Sequence, residues 1–307
     1  MKSFEHFETL GDGEFNEITS SLKIREGQSP KIILLRSVVG SVKIKHNLTD
    51  TIFEQNLDYL DPDSTRSHLS PLNKIALYLG NDISLQELGA IFQNRRFVYQ
   101  NQVFFERLNK EFSNYYYYQS KESYTTAFAF LYRILETVSY AFPLIYASKS
   151  QDYKGTYSFL KECLTGNKDK GELGFFKSFI KVAFEDDPLF ESSINIEILA
   201  ETEEIQSIFF KAIDKACPEK NIFSPIDTIE PRRFSINFSD YSSFIINLRN
   251  RFFHLFNSGQ PNLQSDDILD ADYFFKLVNK QTAYWLTIVL IEILKHNISR
   301  AEGNVTT

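Results

Sequence analysis

Apolar residues recur at helical spacing along most of the chain, but the first part of the chain shows a different pattern. Residues 31–44 (KIILLRSVVGSVKI) are rich in Ile and Val and are interrupted at Gly40. β-Branched residues on both sides of a glycine are typical of two short strands joined by a turn. The pattern therefore predicts a small β-hairpin or sheet near the N-terminus, and we expect β-structure to be confined to residues 1–62.

Helical patterns begin after this segment. Pro71 suits the first position of a helix, and Ser84 with Glu87 suits a capping box at the start of the next one. Residues 125–142 carry a continuous apolar stripe at helical spacing, which predicts a strongly amphipathic helix that ends or kinks at Pro143. These signals indicate that the chain turns from strand to helix near residue 70.

The later segments extend the helical pattern to the C-terminus. Residues 194–214 and 273–296 are both interpreted as helices, and the second is expected to close the core. We therefore predict a mainly α protein: a small β-containing segment in residues 1–62, and a helical domain in residues 63–307.

The most informative helix lies in residues 241–261 (YSSFIINLRNRFFHLFNSGQP), before a turn rich in stop signals. At ~100° per residue, one apolar stripe collects Phe244, Ile245, Leu248, Phe252, Leu255 and Phe256. The opposite side collects Asn247, Asn250 and His254, with Arg251 at its margin. Arg249 lies near the other edge of the apolar stripe. The polar residues form either a solvated face or a site.

The order of these polar residues favours a site. Arg249 and Asn250 are followed, after three residues, by His254. This order resembles the R-(N/D/H)-x3-H motif of the HEPN superfamily, whose members are helical and include many metal-independent endoribonucleases. The resemblance covers the motif and its helix well and the helix around Glu136 loosely, but it does not cover the first hundred residues.

The resemblance implies a HEPN-like helical bundle in which Arg249, Asn250 and His254 are the catalytic residues. It implies RNA as the substrate, and a homodimer in which the motifs of two protomers face one groove. It also suggests a toxic effector in bacterial defence, with a regulatory or antitoxin partner. Glu136 is a supporting residue by the same analogy, although a surface glutamate beside Arg133 is an equally good interpretation.

The three motif residues suit RNA cleavage by 2′-OH attack. Histidine titrates near neutral pH and serves as a general base or acid. Arginine stays charged and matches the geometry of a phosphate with two parallel hydrogen bonds. Asn250 can hold the histidine tautomer or donate to a phosphate oxygen. An ideal helix nevertheless places Arg251 nearer than Arg249 to His254, so Arg251 is a second candidate for the cationic role.

Composition restricts the function classes. The net charge is -7 and the pI is near 5.4, which excludes an extended basic groove and leaves only local contacts with RNA. Cys163 and Cys217 lie far apart, and no His, Cys, Asp or Glu set has the spacing of metal ligands, so we expect neither a metal nor another cofactor. The tyrosine run in residues 114–118 either covers a partner surface or packs at a helix end.

The sequence favours a soluble, cytoplasmic protein. The longest apolar run, residues 283–294, is too short to span a bilayer and contains Glu292. The acidic N-terminal residues are unlike those of a signal peptide, and we expect no membrane association. The alternative to a ribonuclease is a non-catalytic helical module that binds a nucleotide, RNA or a protein partner.

Overall fold

The computed structural model describes residues 6–12, 22–25, 27–40, 42–79, 83–149, 151–165, 174–184, 188–217, 223–225, 233–254 and 262–302. Helices dominate these residues, and their β-structure is limited to two antiparallel sheets of three strands each. One of these sheets lies near the N-terminus. The predicted mainly α fold with a small N-terminal sheet is therefore confirmed.

The chain forms two compact units. The first unit contains Met1–Thr137 together with Leu286–Thr307, and the second contains Val138–Trp285. The predicted boundary at residue 62 stays a prediction. The strands of the N-terminal sheet fall in the same unit as the helices that follow them, because the third strand and the first helix both pack on a long helix in residues 102–120.

The first unit begins with the sheet. Its strands are β1 (Phe7–Asp12), β2 (Val42–His46) and β3 (Thr51–Gln55), arranged in the order β1-β2-β3. Helix α1 (Pro30–Val38) connects β1 to β2. The later helices are α2 (Pro71–Leu79), α3 (Leu85–Gln93), α4 (Arg95–Tyr99), α5 (Gln102–Ser120) and α6 (Tyr124–Ser139).

Residues 31–38 were expected to form a strand, and this prediction is wrong, because they lie in α1. Ser29 caps the helix by accepting a hydrogen bond from the Lys31 amide, and Pro30 occupies its first turn. Most of the helix is buried, so its sequence is a short apolar run that cannot be told from a buried strand by periodicity alone. Gly40 follows with φ +74, where a Cβ atom would lie 2.6 Å from the Asn56 backbone. That glycine ends the helix rather than joining two strands.

Other local predictions are confirmed. Helix α2 starts at Pro71, and both hydrogen bonds of the capping box between Ser84 and Glu87 are present at the start of α3. The apolar stripe of residues 125–142 coincides with α6, which ends at Ser139. The next helix begins at Ala141, so Pro143 lies in a first turn, where it costs little.

The second unit is built from helices and the second sheet. Its helices are α7 (Ala141–Lys149), α8 (Tyr153–Thr165), α9 (Gly174–Phe184), α10 (Glu203–Ala216), α11 (Tyr241–Phe253), α12 (Ser265–Ile268) and the first part of α13 (Ala271–Glu302). Its strands are β4 (Ser193–Glu197), β5 (Phe223–Pro225) and β6 (Arg233–Asn237), in the order β4-β6-β5.

The second sheet contradicts the expectation that β-structure ends at residue 62. Residues 194–214 were interpreted as one helix, but Ile194 and Ile196 are buried and alternate with exposed neighbours, as in a strand. Ile196 pairs with Phe234, which lies far along the chain. The helix α10 starts only at Glu203, after Thr202 as its N-cap. The alternating pattern of this strand is short and is followed closely by the helical pattern of α10, so the two were interpreted as one helix.

One stretch satisfies the length and composition of a membrane span. Tyr124–Lys149 covers 26 residues with a mean hydropathy of 1.3 in its most apolar window. Since 56% of that window is buried inside the protein, the stretch has the character of core helices in a soluble protein. This is consistent with the predicted solubility.

Two buried lysines in the first unit are stabilised in different ways. The Lys74 ammonium lies 2.8 Å from a carboxylate oxygen of Asp58 and 2.8 Å from one of Asp61. Burial opposes its charge, but the two carboxylates raise its pKa. The fully buried Lys31 ammonium instead donates to the Phe97 carbonyl and lies 4.1 Å from the centre of the Phe97 ring. Burial lowers the pKa of Lys31 to about 8.

We expect the substitutions Lys74→Met and Lys31→Met to differ sharply in stability. Lys74→Met leaves the buried Asp61 carboxylate and the half-buried Asp58 carboxylate without their cation and should lower the free energy of unfolding by about 3–5 kcal/mol. Lys31→Met removes a buried cation that contacts the Phe97 carbonyl and the rings of Phe97 and Phe105, and should change that free energy by less than about 2 kcal/mol. Urea unfolding at pH 7 measures both, and an equal loss in the two variants would contradict the assignment.

The same lysine predicts a pH dependence. The pKa of Lys31 is lower in the folded chain, about 8, than its ordinary value of 10.5, so the unfolded chain binds more protons between these values. The contribution of Lys31 to stability should therefore rise as the pH increases through this window. Urea unfolding at pH 7 and pH 9.5 should show this rise in the parent and a smaller one in Lys31→Met.

Candidate functional site

Helix α11 is positioned by its apolar face. Phe244, Ile245 and Leu248 are fully buried, as the predicted stripe requires, and Phe252 is half-buried. Leu255 and Phe256, which were assigned to the same stripe, lie outside the described residues. The polar motif is therefore carried by a helix whose other side belongs to the core of the second unit.

Aromatic contacts hold both ends of α11 against the first part of α13. At the N-terminal end, Tyr241 stacks on Trp285 with ring centres 6.0 Å apart, and the Trp285 indole donates to the Phe238 carbonyl at 3.0 Å. At the C-terminal end, Phe252 meets Phe275 edge to face at 4.9 Å. The sequence analysis did not predict Phe275 as a support, because it lies on another helix and has no place in the motif.

The helix ends at Phe253, before the last residue of the motif. His254 is the C-cap residue, with φ -114 and ψ 102, and its amide donates to the Asn250 carbonyl at 3.3 Å. The Arg251 carbonyl accepts from the Leu263 amide at 2.9 Å. The helix therefore ends earlier than the predicted stop signals at residues 257–261, and His254 has extended rather than helical backbone geometry.

This ending brings the motif side chains together. Nη1 of Arg249 donates a hydrogen bond to His254 Nε2. Nη1 also donates to Asn250 Oδ1, at a distance of 3.0 Å. Arg249 and Asn250 are half-buried, whereas His254 is exposed. Asn250 thus orients the guanidinium with its side chain, and it holds the histidine backbone with its carbonyl.

Arg251, the rival suggested by the helical wheel, is placed differently. Its side chain is only 2% exposed and belongs to the buried set of α11. The wheel compared its angle with that of His254 as if both residues were helical, but His254 has left the helix. The structure therefore brings Arg249, Asn250 and His254 together and directs Arg251 into the core.

The contact between Arg249 and His254 has a chemical consequence. A guanidinium only donates hydrogen bonds, so the imidazole nitrogen that meets it must be the acceptor and carry no proton. The described arrangement therefore combines a permanent cation with a neutral imidazole at an exposed helix end. A cation and a proton acceptor side by side are suited to an anionic substrate that must lose a proton.

Glu136, the supporting residue suggested by analogy, is half-buried on α6 in the first unit. Its charge acts on Arg133, whose pKa is raised first by hydrogen bonds to Glu111 and to a smaller extent by Glu136. Glu136 is thus a neighbour of Arg133, as the alternative interpretation supposed. Its supporting role at the motif stays a prediction.

The structure offers few candidates for metal binding. Within the described residues, no group of three or more His, Cys, Asp or Glu side chains is arranged to hold a metal ion. Cys217 is buried and is not part of a disulfide.

Comparison of the chain with models of known protein families, with curated proteins and with solved structures finds no match. The local geometry of Arg249, Asn250 and His254 is therefore the observation from which a function has to be argued.

Proposed function

We propose that this protein is a metal-independent endoribonuclease of the HEPN type that acts in the cytoplasm. The observation that carries the proposal is the direct contact between Arg249 and exposed His254 at the end of a helix anchored in the core. The order of the motif residues supports the same conclusion.

The reaction begins with proton removal. As the substrate phosphate engages the Arg249 guanidinium, Nε2 of the neutral His254 imidazole is released from its hydrogen bond to that guanidinium. This nitrogen then takes the proton of a ribose 2′-OH group, and the 2′-oxygen attacks the adjacent phosphorus. Negative charge then builds on the non-bridging oxygens, where the Arg249 guanidinium stabilises it by charge-assisted hydrogen bonds. Asn250 keeps the guanidinium oriented. The bond to the 5′-oxygen breaks, which leaves a 2′,3′-cyclic phosphate and a 5′-hydroxyl end.

The leaving 5′-oxygen also needs a proton, and one histidine in its neutral form does not supply it. In the proposed enzyme a second copy of the chain contributes its own motif, so that one imidazole acts as base and the other as acid. The resemblance to the HEPN superfamily supports this homodimer, as well as the role of a toxic effector restrained by a regulatory or antitoxin partner.

His254→Ala should fold like the parent and lose cleavage. The side chain is exposed, so its removal leaves the core unchanged. Losing a general acid or base lowers the rate by at least ~100-fold. The measurement is cleavage of a fluorescent single-stranded RNA beside melting followed by circular dichroism. A variant that melts and cuts like the parent would exclude the ribonuclease, and the non-catalytic binding module would take its place.

Substitution of Arg249 should affect cleavage, whereas substitution of Arg251 should affect stability. Arg249→Ala removes the phosphate contact and should slow cleavage by about 10-fold or more without lowering the melting temperature, and Arg249→Lys should recover part of the rate through its charge. Arg251→Ala empties a buried position and should lower the free energy of unfolding by about 2 kcal/mol or more. Slower cleavage by folded Arg251→Ala than by Arg249→Ala would reverse these roles.

Cleavage should persist in EDTA. Arg249 supplies the positive charge and His254 the proton transfer, which are the two services that a metal ion would otherwise provide. Purified protein is assayed with RNA in excess EDTA and, separately, with added Mg²⁺ or Mn²⁺. Activity that EDTA abolishes and either metal restores would contradict the proposed mechanism.

A further inference from the structure

The tyrosine run at the end of α5 points in two directions. Tyr115 and Tyr116 are buried, whereas Tyr117 and Tyr118 are half-buried at the surface of the first unit. The core therefore accounts for only half of this unusual sequence. The outward pair belongs to a larger group of rings.

We call this group the aromatic ribbon: Phe7, His46, Phe53, Tyr117, Tyr118 and Phe130. Tyr117 stacks on His46 with ring centres 4.3 Å apart and meets Tyr118 at 5.3 Å. Tyr118 in turn stacks on Phe130 at 5.4 Å, with an interplanar angle of 10°. Every residue in the ribbon is half-buried, so part of each one is open to solvent. The ribbon thus continues from the N-terminal sheet across α5 to α6.

Positively charged groups accompany these rings. The Lys121 ammonium lies 5.7 Å from the centre of the Tyr117 ring, and Lys121 is exposed. The Arg133 guanidinium lies 5.8 Å from the centre of the Phe130 ring. Glu111 holds that guanidinium by two hydrogen bonds of 2.8 and 2.7 Å, so it is balanced in charge and fixed in orientation.

The Lys121 charge acts on His46, at the middle of the ribbon. Burial lowers the pKa of His46, and the charges of His6 and Lys121 lower it further. The Lys121 ammonium thus acts on this imidazole as a positive charge, although the chain as a whole carries a net charge of -7. A local positive charge of this kind is what contact with a polyanion requires.

We propose that the aromatic ribbon binds single-stranded RNA by stacking unpaired bases on its open rings, with Lys121 contacting a phosphate. Aromatic faces beside a positive charge are the usual means of holding single strands, because every base presents a π-face. The choice of RNA as the strand rests on the proposed ribonuclease function. The ribbon would hold substrate through contacts other than those of Arg249 and His254.

The test measures binding without cleavage. Fluorescence anisotropy of a labelled oligouridylate is recorded in EDTA with the full chain carrying His254→Ala, and ribbon substitutions are added to it. Tyr117→Leu and Tyr118→Leu should each weaken binding by at least about 5-fold, because leucine keeps the bulk but has no π-face. Tyr117→Phe should restore the affinity. Lys121→Gln should reduce the slope of log affinity against log salt by about 0.7.

The matched control is Tyr153→Leu on α8, a tyrosine that is 90% exposed and lies outside the ribbon. It should bind like the His254→Ala parent, and melting curves identify any variant that is unfolded. Unchanged affinity in Tyr118→Leu and an unchanged salt slope in Lys121→Gln would overturn the proposal, as would a failure of the parent to bind at low salt.

A separate cleavage assay keeps this proposal apart from the proposed function. The unsubstituted chain is incubated with a dinucleotide substrate, which is too short to reach beyond a cleavage site. Ribbon-dependent binding without any RNA cleavage would retain the ribbon and reject the ribonuclease. Cleavage together with ribbon-independent binding would retain the ribonuclease and reject the ribbon.

Discussion

The candidate site depends on the point at which α11 ends. In a continuous helix, residues five positions apart are separated by ~140° around the axis, so Arg249 and His254 would point in different directions. Because the helix stops at Phe253 and His254 adopts extended geometry, the imidazole instead returns to the guanidinium. The packing of Phe252 on Phe275 fixes the last turn, and through it the contact between the two motif residues.

The C-terminal turn of α11 is anchored in the core by its apolar side, and its polar side stays accessible. The same turn that buries Leu248 and Arg251 carries Arg249 and Asn250 towards the surface. Core packing thus makes the helix rigid. The polar side chains of the motif keep part of their contact with water, so their desolvation costs little. A rigid element that carries a half-buried cation beside an exposed proton acceptor meets the general requirement for pre-organised catalysis.

Charge is distributed unevenly in this acidic chain. Asp58 and Asp61 neutralise Lys74, and Glu111 neutralises Arg133, so these two cations are engaged within the fold. Lys121 and Arg249 lie instead beside an aromatic ring and an imidazole. A polyanion would therefore meet a few defined contacts rather than a broad basic surface, in keeping with the composition.

Local signals in the sequence were sufficient for several elements. The capping box of α3, Pro71 in α2 and the stripe of α6 each depend on neighbouring residues alone, and all three are present in the structure. The predictions for residues 31–38 and 193–197 were wrong. Burial on most sides decides the conformation of the first segment, and a pairing partner far along the chain decides that of the second. Such information lies outside any short window of sequence.

The same distinction applies to the site. The sequence by itself determined the mainly α class, the apolar face of α11 and the residue order from Arg249 to His254. Only the tertiary structure decided which arginine meets the histidine, because that depends on where the helix ends and on which side chain the core buries. A helical wheel assumes an unbroken helix, whereas the packing around α11 ends it one residue before the imidazole.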